Sequence, residues 1–156
     1  MKKILSVLKS VLLPVLVGIL SGLLIRNNTD YYEVLIKPPF ALAGMYFGIV
    51  WGVLYILMGI ALYFFKTSGA PEKAIADGKL YFYIQLALNF LWPIVFFNFR
   101  LQFTAFVVLV ILFIFVLITL TKFYKESKIS GILLIPYLAF LIYAGYLNFA
   151  VWFLNM

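Results

Sequence analysis

Two carboxamides and two aromatic rings share one uncharged stretch, LYFYIQLALNFLWPIVFF at Leu80–Phe97, and they are the groups in this chain best suited to recognising a ligand. Gln85, Asn89, Trp92 and Phe96 follow one another at steps of four, three and four, so on a 3.6-residue helix they face the same way. Pro93 cannot donate to the carbonyl of Asn89, four residues back, and this frees a backbone acceptor beside the amide. Such groups orient and stack a bound molecule; they supply neither a nucleophile nor an acid–base pair. The sequence contains neither Cys nor His. That removes disulfides, thiolate chemistry, soft and borderline metal sites, Ser-His-Asp arrangements and imidazole relays. The five carboxylates, Asp30, Glu33, Glu72, Asp77 and Glu126, stand in loops or at segment ends, which leaves tyrosine as the remaining acid–base candidate inside the apolar stretches.

The elements that must hold these groups are set by composition. With 67% hydrophobic and 11% charged residues in 156 and a mean hydropathy of +1.15, the chain lacks the charge to make a water-soluble surface. Twenty residues separate Lys79 from Arg100, and at ~1.5 Å per residue they span roughly 30 Å, one hydrocarbon core. Windows of similar character run over about 5–25, 42–65, 80–97, 103–121 and 131–153. The expectation is an all-α integral membrane protein, a five-transmembrane-helix bundle forming a single membrane domain over 1–156. The run after MKK lacks a small-residue cleavage site and further spans follow it, so it reads as the first helix rather than a signal peptide.

The net charge of +7 comes from basic residues scattered at the ends of apolar segments, a distribution that argues against nucleic-acid binding. Lys2, Lys3, Lys9, Lys66, Lys73, Lys79, Lys122, Lys125 and Lys128 fall on one side of the expected membrane, Arg26, Lys37 and Arg100 on the other. The positive-inside rule then puts the N-terminus in the cytoplasm and the C-terminus outside a cell membrane crossed several times. Apart from Lys9 near the start of the first window, no ionisable Asp, Glu, Lys or Arg lies within a span, which argues against ion pumping and voltage sensing.

The other segments add candidate walls. Gly18 and Gly22 in the first span form a small-xxx-small pattern, read either as a pairing face or as close packing within the monomer. In the second span Gly44, Gly48 and Gly52 recur beside Trp51 and Tyr55, which suits either helix approach or a slot for a planar apolar ligand. The fourth window, poor in polar groups, is expected to face lipid over much of its surface. The fifth has Pro136 and Asn148, with Phe140, Ala144, Leu147 and Asn148 on one face. The loop from Arg26 to Ala41, RNNTDYYEVLIKPPFA, mixes aromatic, aliphatic and charged residues and ends with Pro38-Pro39. It reads as a lid over a cavity or as an interfacial segment anchored by its tyrosines. Trp51, Trp92 and Asn148 lie at similar depth beneath that loop, so a pocket opening toward it is expected.

Four of these stretches in series, YYEVLIKPPF, VWGVLYILMGIALY, LYFYIQLALNFLWPIVFF and PYLAFLIYAGYLNFAVW, resemble the signatures of the translocator protein family, known in bacteria as tryptophan-rich sensory proteins and in mitochondria as the peripheral benzodiazepine receptor. The resemblance covers nearly the whole chain in order. It implies a five-helix bundle, commonly a homodimer, that binds porphyrins such as protoporphyrin IX together with isoquinoline carboxamides and benzodiazepines. It implies a pocket at Trp51, Asn89, Trp92, Ala144 and Leu147 beneath a loop with Tyr32 and Pro38-Pro39. Photo-oxidative degradation of bound porphyrin, with pocket tryptophans implicated, is also reported for bacterial members. Departures are visible: Phe140 and Thr104 stand where the family usually has tryptophan, and Phe149 and Phe153 stand where the sterol consensus wants Tyr and a basic residue. Specific sterol recognition is therefore not expected there. Leu120, Tyr124 and Lys128 make a loose match of chance grade.

The expected ligand-binding set is thus Tyr32, Pro38, Pro39, Gly48, Trp51, Tyr55, Gln85, Asn89, Trp92, Phe96, Phe140, Ala144, Leu147 and Asn148. No metal and no tightly bound cofactor is expected; porphyrin is the ligand or the substrate. Three functions stand open at this point. One is a receptor, sensor or carrier for a planar apolar ligand. Another is an enzyme that uses light, oxygen and Trp51 to consume the porphyrin. The last is a non-catalytic membrane scaffold paired through its glycines.

Overall fold

The computed structural model describes residues 2–156; of the expected 1–156 domain, Met1 lies outside them. The chain runs through α1 (Lys2–Ile25), α2 (Asp30–Val34), α3 (Gly44–Lys66) and α4 (Glu72–Pro93). A π-helical turn at Ile94–Asn98 leads into α5 (Gln102–Glu126), α6 (Lys128–Ile132) and α7 (Ile135–Leu154). No strand occurs among the described residues. Five helical stretches, Lys3–Ile25, Gly44–Lys66, Glu72–Asn98, Gln102–Glu126 and Lys128–Leu154, are long and apolar enough to cross a membrane. Their outward faces are apolar too, with Leu8, Leu12, Ile49, Val53, Ile114 and Ile142 all exposed. That is what a helix needs where the solvent is hydrocarbon, and the protein is a multi-pass membrane protein.

Several boundaries differ from those expected, for local reasons. The third span begins at Glu72 rather than at 80, because Pro71 holds an extended backbone (φ −55°, ψ 145°) just before it and the charged residues 72–79 continue the same helix. Pro93 ends the α-helical ladder. Beyond it the turn widens, with the Phe99 N–H donating to the Ile94 carbonyl at 3.1 Å and the Leu101 N–H to the Val95 carbonyl at 3.1 Å. The fourth span continues to Glu126. The fifth is not one helix from 131: it breaks after Ile132, and Pro136 sits in the first turn of α7, where a missing N–H costs nothing.

The fourth window is exposed over much of its surface, as expected, and buries one stripe. Leu109, Leu112, Val116, Thr119 and Phe123 form a buried stripe along α5, and α5 packs against both α4 and α7. Away from the loop-bearing end the bundle is tight. Phe123 stacks on Phe65 with centroids 4.0 Å apart, and Gly78 makes room for the Phe65 ring, which an added Cβ would meet at 2.3 Å. α3 pairs chiefly with α1 and only sparingly with α4, so a space is left between α3 and the α4–α7 side of the bundle.

The segment from Arg26 to Ala43 closes one end of that space. Asn155 brackets it: the Ile36 N–H donates to Asn155 Oδ1 at 3.0 Å, and Asn155 Nδ2 donates to the Ile36 carbonyl at 2.9 Å. The Tyr143 hydroxyl donates to the Phe40 carbonyl at 2.7 Å and accepts from the Leu42 N–H at 3.1 Å. Asn28 and Tyr31 tie its start to Asn98 and Gln102. Tyr32 is buried beneath it, while Phe40, in left-handed backbone (φ 66°), is almost wholly exposed. The segment is thus a tied-down cover that also presents apolar residues outward.

Candidate binding cavity

Beneath this cover lies a cavity of about 810 Å³ walled by α1, α2, α3, α4 and α7. That is a volume within the range of small-molecule sites.

Its wall is aromatic because α3 and α4 each bring an indole to the same depth. Trp51 and Trp92 lie with ring centroids 6.0 Å apart, tilted by 37°. Trp51 also meets Tyr55 at 5.9 Å, the edge of Tyr137 at 6.0 Å and the edge of Phe140 at 5.5 Å. Phe96, one turn beyond Trp92, joins Trp92 at 6.2 Å and Tyr32 of the cover at 6.5 Å. These offset and edge contacts are the favourable ones for aromatic rings, and they fix the wall without a ligand.

The amides are committed to the protein itself. The Tyr55 hydroxyl donates to Asn89 Oδ1 at 2.6 Å, Asn89 Nδ2 donates to the Tyr137 hydroxyl at 2.7 Å, and that hydroxyl donates to Gln85 Oε1 at 2.9 Å. Separately, the Trp92 indole N–H donates to Asn148 Oδ1 at 2.9 Å, and Asn148 Nδ2 donates to the Gln102 carbonyl at 2.8 Å. Each chain joins three helices, the first α3, α4 and α7 and the second α4, α5 and α7, which satisfies polar groups that lipid cannot. The buried N–H of Trp51 and the Nε2 of Gln85 have no partner among the described residues. Further polar side chains stand at the cover end of the cavity, where Arg26, Thr29, Asp30 and Glu33 line it; there the Thr29 hydroxyl donates to the Arg26 carbonyl and Glu33 pairs with Lys37. Burial, and after it the neighbouring Tyr143 and Glu33, raise the pKa of the Tyr32 phenol above its ordinary value.

The structure brings together Tyr32, Gly48, Trp51, Tyr55, Asn89, Trp92, Phe96, Ala144, Leu147 and Asn148 around one cavity. The other candidates stand off it. Gln85 lies one helical turn beyond Asn89 and bonds to Tyr137, so it fixes that residue instead of facing the space. Phe140 backs Trp51 from behind. Pro38 is buried and Pro39 exposed within the cover, and both shape the chain without lining the cavity. Two contributions escaped the sequence reading. Tyr137, fully buried, is the hub of the longer hydrogen-bond chain, but one tyrosine among eleven carries no mark. α1 supplies Gly18, Ser21, Gly22 and Ile25, and the small-residue pattern was its only signal. At Gly18 that pattern serves packing inside the chain, since a Cβ there would lie 2.4 Å from the Tyr55 ring.

Comparison with known proteins agrees with this architecture. The TspO/MBR family matches residues 10–153. The chain is 35% identical over 153 residues to a protein of Archaeoglobus fulgidus named Tryptophan-rich protein TspO, covering 97% of this chain and 98% of the relative. It is 37% identical over 125 residues to the protein of that name from Chlorobaculum tepidum, covering 80% and 79%. It is also 37% identical over 124 residues to the human Translocator protein, covering 78% and 73%. With its five spans and with the family match running almost from end to end, the chain belongs to the TspO/MBR family.

Proposed function

We propose that the protein is a membrane receptor or carrier that takes a planar, largely apolar ligand into this cavity. The ligand is of the tetrapyrrole class, with protoporphyrin IX as its representative; isoquinoline carboxamide and benzodiazepine-type compounds share the site. The observation that carries the reading is the paired indole wall, Trp51 beside Trp92 at 6.0 Å, which with Ala144 and Leu147 lines a space of about 810 Å³. A flat π-system gains contact and quadrupole interactions on such a wall. Small Ala144 leaves the room it needs. The sensory and translocator names of the relatives fit a receptor or carrier, and the same reading takes the chain as a homodimer with its N-terminus in the cytoplasm.

The test is a titration of protoporphyrin IX in detergent, read by porphyrin and tryptophan fluorescence. The expected result is saturable quenching that Trp51→Ala weakens by about tenfold or more, the scale set by about 1.4 kcal/mol of lost contact. Unchanged quenching in Trp51→Ala combined with Trp92→Ala would overturn the proposal.

Light-driven oxidation of bound porphyrin is the second reading, and the contact of Trp51 with Trp92, Tyr55 and Tyr137, all oxidisable rings within 6.0 Å, favours it. Pigment loss under illumination in oxygen is then faster in the wild type than in Trp51→Phe. Equal rates, no faster than for free pigment, remove this reading.

A further inference from the structure

We propose that an acyl chain from the surrounding bilayer occupies this cavity when no planar ligand does, reaching it sideways through a gap between α1 and α3. The seam between these helices closes tightly over part of its length. A Cβ at Gly59 would lie 2.3 Å from Val11 Cα, and one at Gly18 would lie 2.4 Å from the Tyr55 ring. Toward the cover the helices part. Added Cβ atoms at Gly22, Gly48 and Gly52 would meet nothing within 4 Å. The edges of the parting are Ile19, Met45 and Ile56, which line the cavity and are also exposed on the apolar outer surface, at 53%, 70% and 46%. The cavity is therefore continuous with the surface that touches lipid, whereas the aqueous end is closed by the cover that Tyr143 and Asn155 hold.

The chemistry of the wall selects the occupant. Both polar atoms of Asn89 and of Asn148 are bonded within the protein, as are the Trp92 N–H and the Tyr55 hydroxyl. Water needs two to four polar partners to remain in such a space, and the deep wall spares few. Methylene groups need none, they gain dispersion contacts, and they are the solvent at the gap. A thin, flexible chain passes where glycines remove side chains, and its headgroup stays at the interface beside Arg26 and Thr29. The inference rests on the cavity assigned above but does not require that the cavity bind a porphyrin.

The experiment uses the whole chain in nanodiscs of phosphatidylcholine with dibrominated or ordinary acyl chains. Trp152→Phe leaves Trp51 and Trp92 as the only tryptophans, and bromine quenches an indole on contact. The expected result is a loss of emission in brominated nanodiscs that a saturating isoquinoline carboxamide reverses. Gly48→Leu with Gly52→Leu, or Gly22→Leu on the facing helix, should also reverse it. A second arm adds brominated free fatty acid to ordinary nanodiscs; quenching there alone identifies a free acid as the source of the chain. Equal emission in all these lipids, or quenching that neither gap-filling variant diminishes, overturns the inference. Porphyrin binding without bromine quenching rejects the lipid occupant alone. Bromine quenching without porphyrin binding rejects the planar-ligand reading alone.

Discussion

Asn89→Leu separates holding the fold from holding the ligand. The change keeps a branched side chain of similar size and removes two interhelical hydrogen bonds, from Tyr55 at 2.6 Å and to Tyr137 at 2.7 Å. Within membranes such bonds contribute about 0.6 kcal/mol on average and up to about 1.7, so the pair accounts for about 1–3 kcal/mol. The Tyr55 hydroxyl, buried in α3, is left without its acceptor, which adds about 1–3 kcal/mol. Tyr137 retains its bond to Gln85. The expected destabilisation is therefore about 2–6 kcal/mol by these per-bond figures, measured as a shift of the unfolding curve in mixed micelles followed by circular dichroism. Because both amide atoms of Asn89 are already hydrogen-bonded within the protein, protoporphyrin affinity of the folded fraction should fall by less than about tenfold, or about 1.4 kcal/mol. An unfolding curve that does not move, together with an affinity lowered by much more than that, would show that the amide serves the ligand and that the hydrogen-bond chain was misread.

Three further outcomes are expected. Gly18→Leu, whose Cβ would meet the Tyr55 ring at 2.4 Å, should destabilise the bundle by about 1–3 kcal/mol through overpacking, whereas Gly22→Ala, in open space, should change stability by less than about 0.5 kcal/mol; equal unfolding curves for both would contradict the packing described. Asn155→Ala removes both bonds to Ile36, so backbone amide exchange in 30–42 should quicken while that of α5 stays unchanged, and exchange that rises everywhere or nowhere would rule out a local clasp. The Tyr32 phenol has its pKa raised above 10.0 by burial. The covered state therefore keeps its proton longer than the detached loop, so attachment is complete below pH 10 and is lost as pH rises through the higher bound value. Limited proteolysis of the loop across that range, with Tyr32→Phe as the pH-insensitive control, would show no such rise if the phenol were in fact solvated.

Much of the fold was legible because hydrocarbon is an undemanding solvent to read: uncharged runs of sufficient length must become helices. Gln85, Asn89, Trp92 and Phe96 were recognisable as one buried face from spacing alone, and all are buried. Their partners were not legible. Whether Asn89 turns to a ligand or to Tyr137 depends on where α7 stands across the bundle, a non-local fact that no spacing within Leu80–Phe97 encodes. The break at Leu133–Leu134 was missed although Pro136 lay in plain view, because a proline within a hydrophobic run is read equally as a kink or as a first turn. The openness of Gly48 and Gly52 was likewise undecided. Glycine marks absent volume, and only the position of the facing helix says whether a backbone or an empty space fills it.

On α7, Tyr143 and Ala144 are consecutive residues doing opposite duties, one fastening the cover and the other forming the cavity wall. Through Asn155, just past its end, the same helix also reaches Ile36. One element thus serves both sides of the boundary: α7 walls the cavity through Ala144 and fastens its cover through Tyr143 and Asn155.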